Sequence, residues 1–154
     1  MTRLVVLGST GMLGSEVLRV AIASDIEVVP VSRSLDVRFD AQTELFSSLA
    51  SELRLSPRDW VVNCIGWIPQ KSSGDYLLDQ RVAWLLNSSL VEQISETRES
   101  LGFNWIQIGT DCVYKGQEGG YIESSKKNGN DLYGLTKIAG EEFAQDAMLI
   151  RTSI

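Results

Sequence analysis

Short apolar runs alternate along this chain with longer stretches in which apolar residues recur every three or four positions. Runs of strand length fall at Arg3–Leu7, Glu27–Val31, Trp60–Cys64, Trp105–Ile108 and Met148–Arg151. Between them, Met12, Leu13, Val17, Leu18, Ala21 and Ile22 form one helical stripe, and Leu45, Leu49 and Leu53 form a second. A longer helical segment is predicted from about Gly74 to Leu101. Another, from Leu132 to Ala147, carries Ile138, Ala139, Phe143 and Ala144 toward the sheet. Repeated strand–helix units with right-handed crossovers predict an α/β fold with a doubly wound parallel sheet. Ligands of such a sheet bind beyond the carboxyl ends of its strands, where the strand order reverses. The loops that follow the strands are therefore the places to look for function.

Composition narrows the class. With 154 residues, 44% of them hydrophobic, the chain is expected to form one domain over 1–154, burying about two-thirds of its unfolded surface. A net charge of −6 and a pI near 4.7 argue against nucleic-acid binding through a general basic surface. The apolar run Leu4 to Leu7 is too short for a signal-peptide core or a membrane span, so a soluble cytoplasmic protein is expected. There is no histidine, and Cys64 and Cys112 lie far apart in apolar contexts where burial is expected, so no metal site and no Ser-His-Asp arrangement is expected. The segment Gly116 to Asp131, rich in Gly, Ser, Lys and Asn, reads as a long loop.

The first loop carries a specific pattern. Gly8-Ser9-Thr10-Gly11-Met12-Leu13-Gly14 stands between a strand and a helix, where glycines allow a tight turn, a close backbone approach to a pyrophosphate and close helix–strand packing. The helix N-terminus adds free N–H groups and a favourable dipole. After the second strand the acid that selects NAD is missing, and Val31-Ser32-Arg33-Ser34 takes its place. Arg33 is the candidate clamp for a 2′-phosphate, with hydroxyls from Ser32 and Ser34, which points to NADP(H) with NAD(H) as the alternative. Asp36 is a candidate adenine contact, and Asp40 a candidate cap for the next helix.

Downstream, Tyr133-Gly134-Leu135-Thr136-Lys137 places a phenol and an ammonium four residues apart on one helical face. A neighbouring ammonium stabilises phenolate and is expected to lower the phenol's pKa, making Tyr133 a usable general acid, while Lys137 also reaches the nicotinamide ribose. Thr110, at the exit of the fourth strand, is the candidate partner for a substrate oxygen; a turn that caps its own backbone is the competing account of Thr110 and Asp111.

Taken together, these motifs resemble the extended short-chain dehydrogenase/reductases, and within them the dTDP-4-dehydrorhamnose reductase group. Gly8-x-x-Gly11-x-x-Gly14 is similar to the family's cofactor loop, and Asn63-Cys64-Ile65-Gly66-Trp67 stands where the family has an Asn followed by small residues beside the nicotinamide. Leu85-Leu86-Asn87 resembles its mid-helix element, Gly109-Thr110-Asp111-Cys112-Val113-Tyr114 its Ser-Thr-Asp-Tyr-Val-Phe signature, and Tyr133 to Glu141 its Tyr-Gly-x-x-Lys-x-x-Gly-Glu. The resemblance implies a Rossmann domain in which Gly8, Thr10, Gly11, Met12, Leu13, Gly14, Arg33, Asp36, Cys64, Ile65, Gly66, Tyr133 and Lys137 hold the cofactor. It also implies catalysis by Thr110, Tyr133 and Lys137 on a nucleotide-linked 4-keto sugar. Departures are Gly109 for a serine, Cys112 for an aromatic residue, the bulkier Gly66-Trp67 pair, and Gly129 where a proline often stands. Family members continue past Arg151-Thr152-Ser153 into a substrate-binding portion, so the chain is expected to be the truncated cofactor domain of such an enzyme. A non-catalytic dinucleotide-binding or regulatory subunit, and an epimerase or dehydratase of the same superfamily, are the competing expectations. A homodimer through Gly74–Leu101 is a further one, although covering the sheet already accounts for that helix.

Overall fold

A computed structural model describes residues 2–153. Five strands, β1 (Arg3–Leu7), β2 (Glu27–Val31), β3 (Trp60–Asn63), β4 (Asn104–Thr110) and β5 (Met148–Thr152), pair in parallel in the order β2-β1-β3-β4-β5. Helices α1 (Met12–Ala23), α2 (Phe46–Glu52), α3 (Tyr76–Trp84), α4 (Leu90–Leu101) and α5 (Leu132–Phe143) connect them, giving the Rossmann-like sheet expected from the alternating pattern. The order reverses between β1 and β3, and this opens a crevice above their carboxyl ends. The core joins Val5, Leu7 and Val61 of the sheet to Phe46, Leu90, Ile94 and Phe103. Phe46 meets Phe39 and Phe103 edge to face, with centroids 6.3 and 6.0 Å away.

Several expectations need correction. Strand β3 stops at Asn63; Cys64 starts the exit loop, its amide donating to Leu7 O at 3.1 Å. The segment from Gly74 to Leu101 is broken by a π turn at Leu85–Ser89 between α3 and α4. Such bulges occur often at functional sites, and Gly140 of α5 packs against this one so closely that a Cβ there would lie 2.0 Å from Asn87 O. Within α1, Met12 and Ile22 face solvent, because the helix meets β1 through the small residues Gly14 and Ala21. Within α5, Phe143 is exposed and Ile138 and Ala139 are only half-buried; the buried face is Gly134, Thr136, Lys137, Gly140 and Glu141, polar because it faces a site. Leu45 is exposed at the start of α2, whose first amide, that of Phe46, donates instead to Gln93 Oε1 at 3.0 Å. Asp40 does not cap α2: its carboxylate accepts from Gln42 N at 3.1 Å and its carbonyl from Thr43 and Glu44, closing a separate turn. Among the described residues no helix is long and apolar enough to cross a membrane.

Candidate functional site: the crevice above β1, β2 and β3

The crevice is built by tying three loops together. Gly8 adopts φ +73°, a conformation suited to glycine, which lets the amides of Gly8 and Ser9 both donate to Val31 O, at 3.0 and 3.1 Å. Gly14 is required for a different reason: a Cβ there would lie 2.2 Å from Gly8 O, so α1 could not approach β1. Gly11 forms the N-cap of α1 without any side-chain acceptor, leaving the first-turn amides free to receive an anion.

These loops enclose a groove of about 420 Å³. Gly8, Thr10 and Gly11 line it from β1, Ser32 and Arg33 from β2, and Cys64, Ile65 and Gly66 from β3. Met12, Leu13 and Gly14 stand outside the lining, in the first turn of α1. Asp36 also lies outside it and is exposed, because the chain from Ser32 to Phe39 closes on itself through Phe39 N to Ser32 O and carries Asp36 away. Phe39, Asp40, Ala41, Gln42, Trp67, Lys71, Val82 and Leu86 complete the walls. Trp67 and Leu86 fall in the segments Asn63–Trp67 and Leu85–Asn87 that the family resemblance marked; no motif marks Phe39, Ala41, Gln42, Lys71 or Val82, which meet only when the loops fold over the sheet.

Thr110, Tyr133 and Lys137 come from the end of β4 and the first half of α5. Asp131 caps α5 by accepting from Gly134 N at 2.7 Å, which sets Tyr133 in the first turn. Thr110 is buried, and its Oγ1 accepts from Cys112 N at 3.2 Å, so the hydroxyl does serve its own turn. Lys137 is buried and its Nζ donates to Ile108 O at 3.1 Å. A Cβ on Gly66 would stand 3.6 Å from that Nζ, which places the ammonium at the β3 end of the groove.

The electrostatics differ from the sequence expectation. Burial raises the Tyr133 pKa above its ordinary value; Cys112, Asp111 and Asp131 add to the rise, and only the Thr110 hydroxyl opposes it. Lys137 does not lower it, because its ammonium is turned to the Ile108 carbonyl. Burial brings Lys137 itself down to about 8, against the carboxylate of Glu141 and the neighbouring Cys64, which favour its charge. Cys64 is pushed up to about 11 by burial, with Lys137 opposing, so it remains a thiol. Cys112 is exposed rather than buried, since the turn after β4 carries it to the surface.

Asn87 holds this arrangement from the π turn. Its Oδ1 accepts from Trp67 N at 2.9 Å while its Nδ2 donates to Trp67 O and to Thr136 Oγ1, both at 3.0 Å. Thr136 precedes Lys137, so one buried amide ties the β3 exit to α5. On the far side, buried Glu141 accepts from Arg151 Nη2 at 2.8 Å and Nε at 3.0 Å, and Lys127 lies 3.4 Å away. Arg151 also donates to Tyr114 Oη, and Tyr114 stacks on Tyr121 at 4.5 Å, walling a second cavity of about 780 Å³ beyond β4 and β5. Among the described residues no group of His, Cys, Asp and Glu is placed to hold a metal ion.

The family profile described as the RmlD substrate binding domain matches residues 1–154. The chain belongs to that family. Among individual proteins, it is 23% identical over 160 residues to a dTDP-4-dehydrorhamnose reductase of Mycobacterium tuberculosis, an alignment covering 98% of this chain and 49% of the relative. A hypothetical dTDP-4-dehydrorhamnose reductase from Sulfolobus tokodaii superposes with a TM-score of 0.80 at 26% identity, over 99% of this chain and 56% of the other. The Bacillus anthracis dTDP-4-dehydrorhamnose reductase, solved in complex with NADP, superposes with a TM-score of 0.80 at 21% identity, over 98% and 53%. This RmlD-family chain thus spans about half the length of the curated relatives it matches.

Proposed function

We propose that this chain binds NADP(H) in the crevice and contributes Tyr133, Lys137 and Thr110 to the reduction of a nucleotide-linked 4-keto sugar. The observation that carries the reading is the convergence of the phosphate loop, Arg33 and Cys64–Gly66 on one groove whose β3 end adjoins Lys137. A dinucleotide suits these residues. The uncapped amides of α1 receive the pyrophosphate, Arg33 and the Ser32 hydroxyl receive a 2′-phosphate, and the walls at Ile65, Val82 and Leu86 receive an apolar ring face. The NADP complex of the Bacillus anthracis relative supports the same choice, with NAD(H) as the weaker ligand.

When bound, NADPH supplies a hydride to the carbonyl carbon. The chain's own residues manage the oxygen. Thr110 orients it, and Tyr133, which burial keeps protonated at neutral pH, donates the phenolic proton so that the carbonyl becomes an alcohol. Lys137, anchored on Ile108 O, would hold the ribose, and the phenol regains its proton from solvent.

The test is titration of the folded chain with NADPH and NADH, together with Gly11→Val and Arg33→Ala. Tight NADPH binding that is abolished by Gly11→Val, with the NADPH preference reduced about ten-fold by Arg33→Ala, supports the reading, since a charge-assisted contact contributes about 1.5–3 kcal/mol. A folded chain that binds neither cofactor refutes it.

A further inference from the structure

Two cations line the groove, on chain segments that follow different strands. Arg33 stands after β2, and Lys71 stands after β3, on the wall shared with Gly66, Trp67, Val82 and Leu86. Lys71 closes a short 3-10 turn, Pro69–Lys71, whose backbone is sealed by Lys71 N donating to Ile68 O at 2.9 Å. The loop beyond it is pinned by Asp79 of α3, whose Oδ1 accepts from Ser73 N at 2.8 Å and Ser73 Oγ at 2.9 Å while the Ser72 hydroxyl donates to Oδ2. Asp79 spends its own charge on those serines. Among the described residues the Lys71 ammonium pairs with no carboxylate. The backbone is thus held, and the cation is left for the groove.

Strand order decides what that cation faces. With the 2′-phosphate at Arg33 after β2 and the pyrophosphate at Gly8–Gly14 after β1, the nicotinamide falls against Cys64–Trp67 after β3. This rests on the cofactor reading above. The two redox forms differ there by one charge: the oxidised ring is a cation and the reduced ring is neutral, while the phosphates are identical in both. Asp40, the carboxylate in the lining, belongs to the segment that follows β2.

We propose that Lys71 selects the redox state of the cofactor, its positive charge at the β3 end of the groove disfavouring oxidised nicotinamide relative to reduced. A unit charge lining the same groove as the ring, in the dielectric of a half-open site, changes the ratio of the two affinities about two- to five-fold. The consequence is faster release of the oxidised product and weaker inhibition by it. Lys137 adds to the same field only while it is protonated.

The experiment is a titration of the parent chain, Lys71→Met and Lys71→Arg with NADPH and with NADP⁺, followed by tryptophan fluorescence at low and high salt. Methionine keeps the apolar stem and removes the charge. Lys71→Met is expected to narrow the NADPH:NADP⁺ affinity ratio about two- to five-fold, Lys71→Arg to restore it, and salt to narrow it in the parent and in Lys71→Arg more than in Lys71→Met. Binding of both forms with an unchanged ratio in Lys71→Met overturns the proposal, and so does an equal loss of both, which would make Lys71 a phosphate contact. A folded parent that binds neither form refutes the cofactor reading itself, and this proposal with it.

Discussion

Asn87 and Trp67 exchange two hydrogen bonds, side-chain Oδ1 accepting from the Trp67 amide at 2.9 Å and Nδ2 donating to the Trp67 carbonyl at 3.0 Å. Asn87 is 2% exposed, and the π turn that carries it turns its amide toward the β3 exit and α5 together. Asn87→Ala leaves the Trp67 amide and carbonyl and the Thr136 hydroxyl without this partner. Unfolding by urea is expected to show a loss of roughly 2–3 kcal/mol. A loss of stability with unchanged affinity for NADPH would show that the clamp does not shape the groove.

Gly140 makes the matching backbone contact. A Cβ there would lie 2.0 Å from Asn87 O and 3.1 Å from Asn87 C, both backbone atoms. Gly140→Ala is expected to cost about 3 kcal/mol, even though alanine favours helix in isolation. Gly116→Ala, at a glycine with open space around it but φ +77°, is expected to cost nearer 1 kcal/mol. Thermal melting of the two variants side by side tests the order.

The buried ammonium predicts an unusual pH dependence. Lys137 titrates near 8 in the folded chain against 10.5 when unfolded, so between those values the unfolded chain holds the extra proton and stability rises with pH. Cys64 works in the opposite sense, losing its proton at about 9 unfolded and about 11 folded, so stability falls across that range; raised Tyr133 adds to the fall above pH 10. Urea midpoints are therefore expected to gain about 1 kcal/mol from pH 8 to 9 relative to Lys137→Met, and to fall less above pH 9 in Cys64→Ala. Parallel curves for Lys137→Met and its parent from pH 8 to 9 would show that the ammonium is better solvated than its burial implies.

Glu141 joins α5 to β5 through Arg151 and to the long loop through Lys127. Glu141→Gln leaves the half-buried guanidinium without its carboxylate partner, and a loss of about 1–2 kcal/mol is expected. Restoration of at least half of that loss in Glu141→Gln/Arg151→Met would show that the cost lies in the orphaned charge. No restoration would place it in packing.

Most of the architecture was legible along the chain. Val5-Val6-Leu7 and Val61-Val62 are apolar without interruption because helices cover both faces of the sheet, and that pattern needs no partner to be read. Stripes misled where a helix packs through small residues, so Met12, Ile22 and Phe143 face outward while Gly14 and Gly140 make the contacts. Within the site, Gly8, Arg33 and Lys137 stood out by residue type and position. Gln42, Lys71 and Val82 did not, since each is ordinary in its own segment.

The sequence alone determined the parallel sheet, its glycine-rich first turn and the candidate chemistry, because spacing and residue type act locally and survive in one dimension. Tertiary structure alone decided which groups share a field. The turn of the Lys137 ammonium to Ile108 O, the rise in Tyr133, the Asn87 clamp on Trp67 and the meeting of Arg33 and Lys71 on one groove depend on burial and on distances between segments 20 to 50 residues apart. Desolvation and Coulomb interactions act through space, and only the folded chain sets those distances.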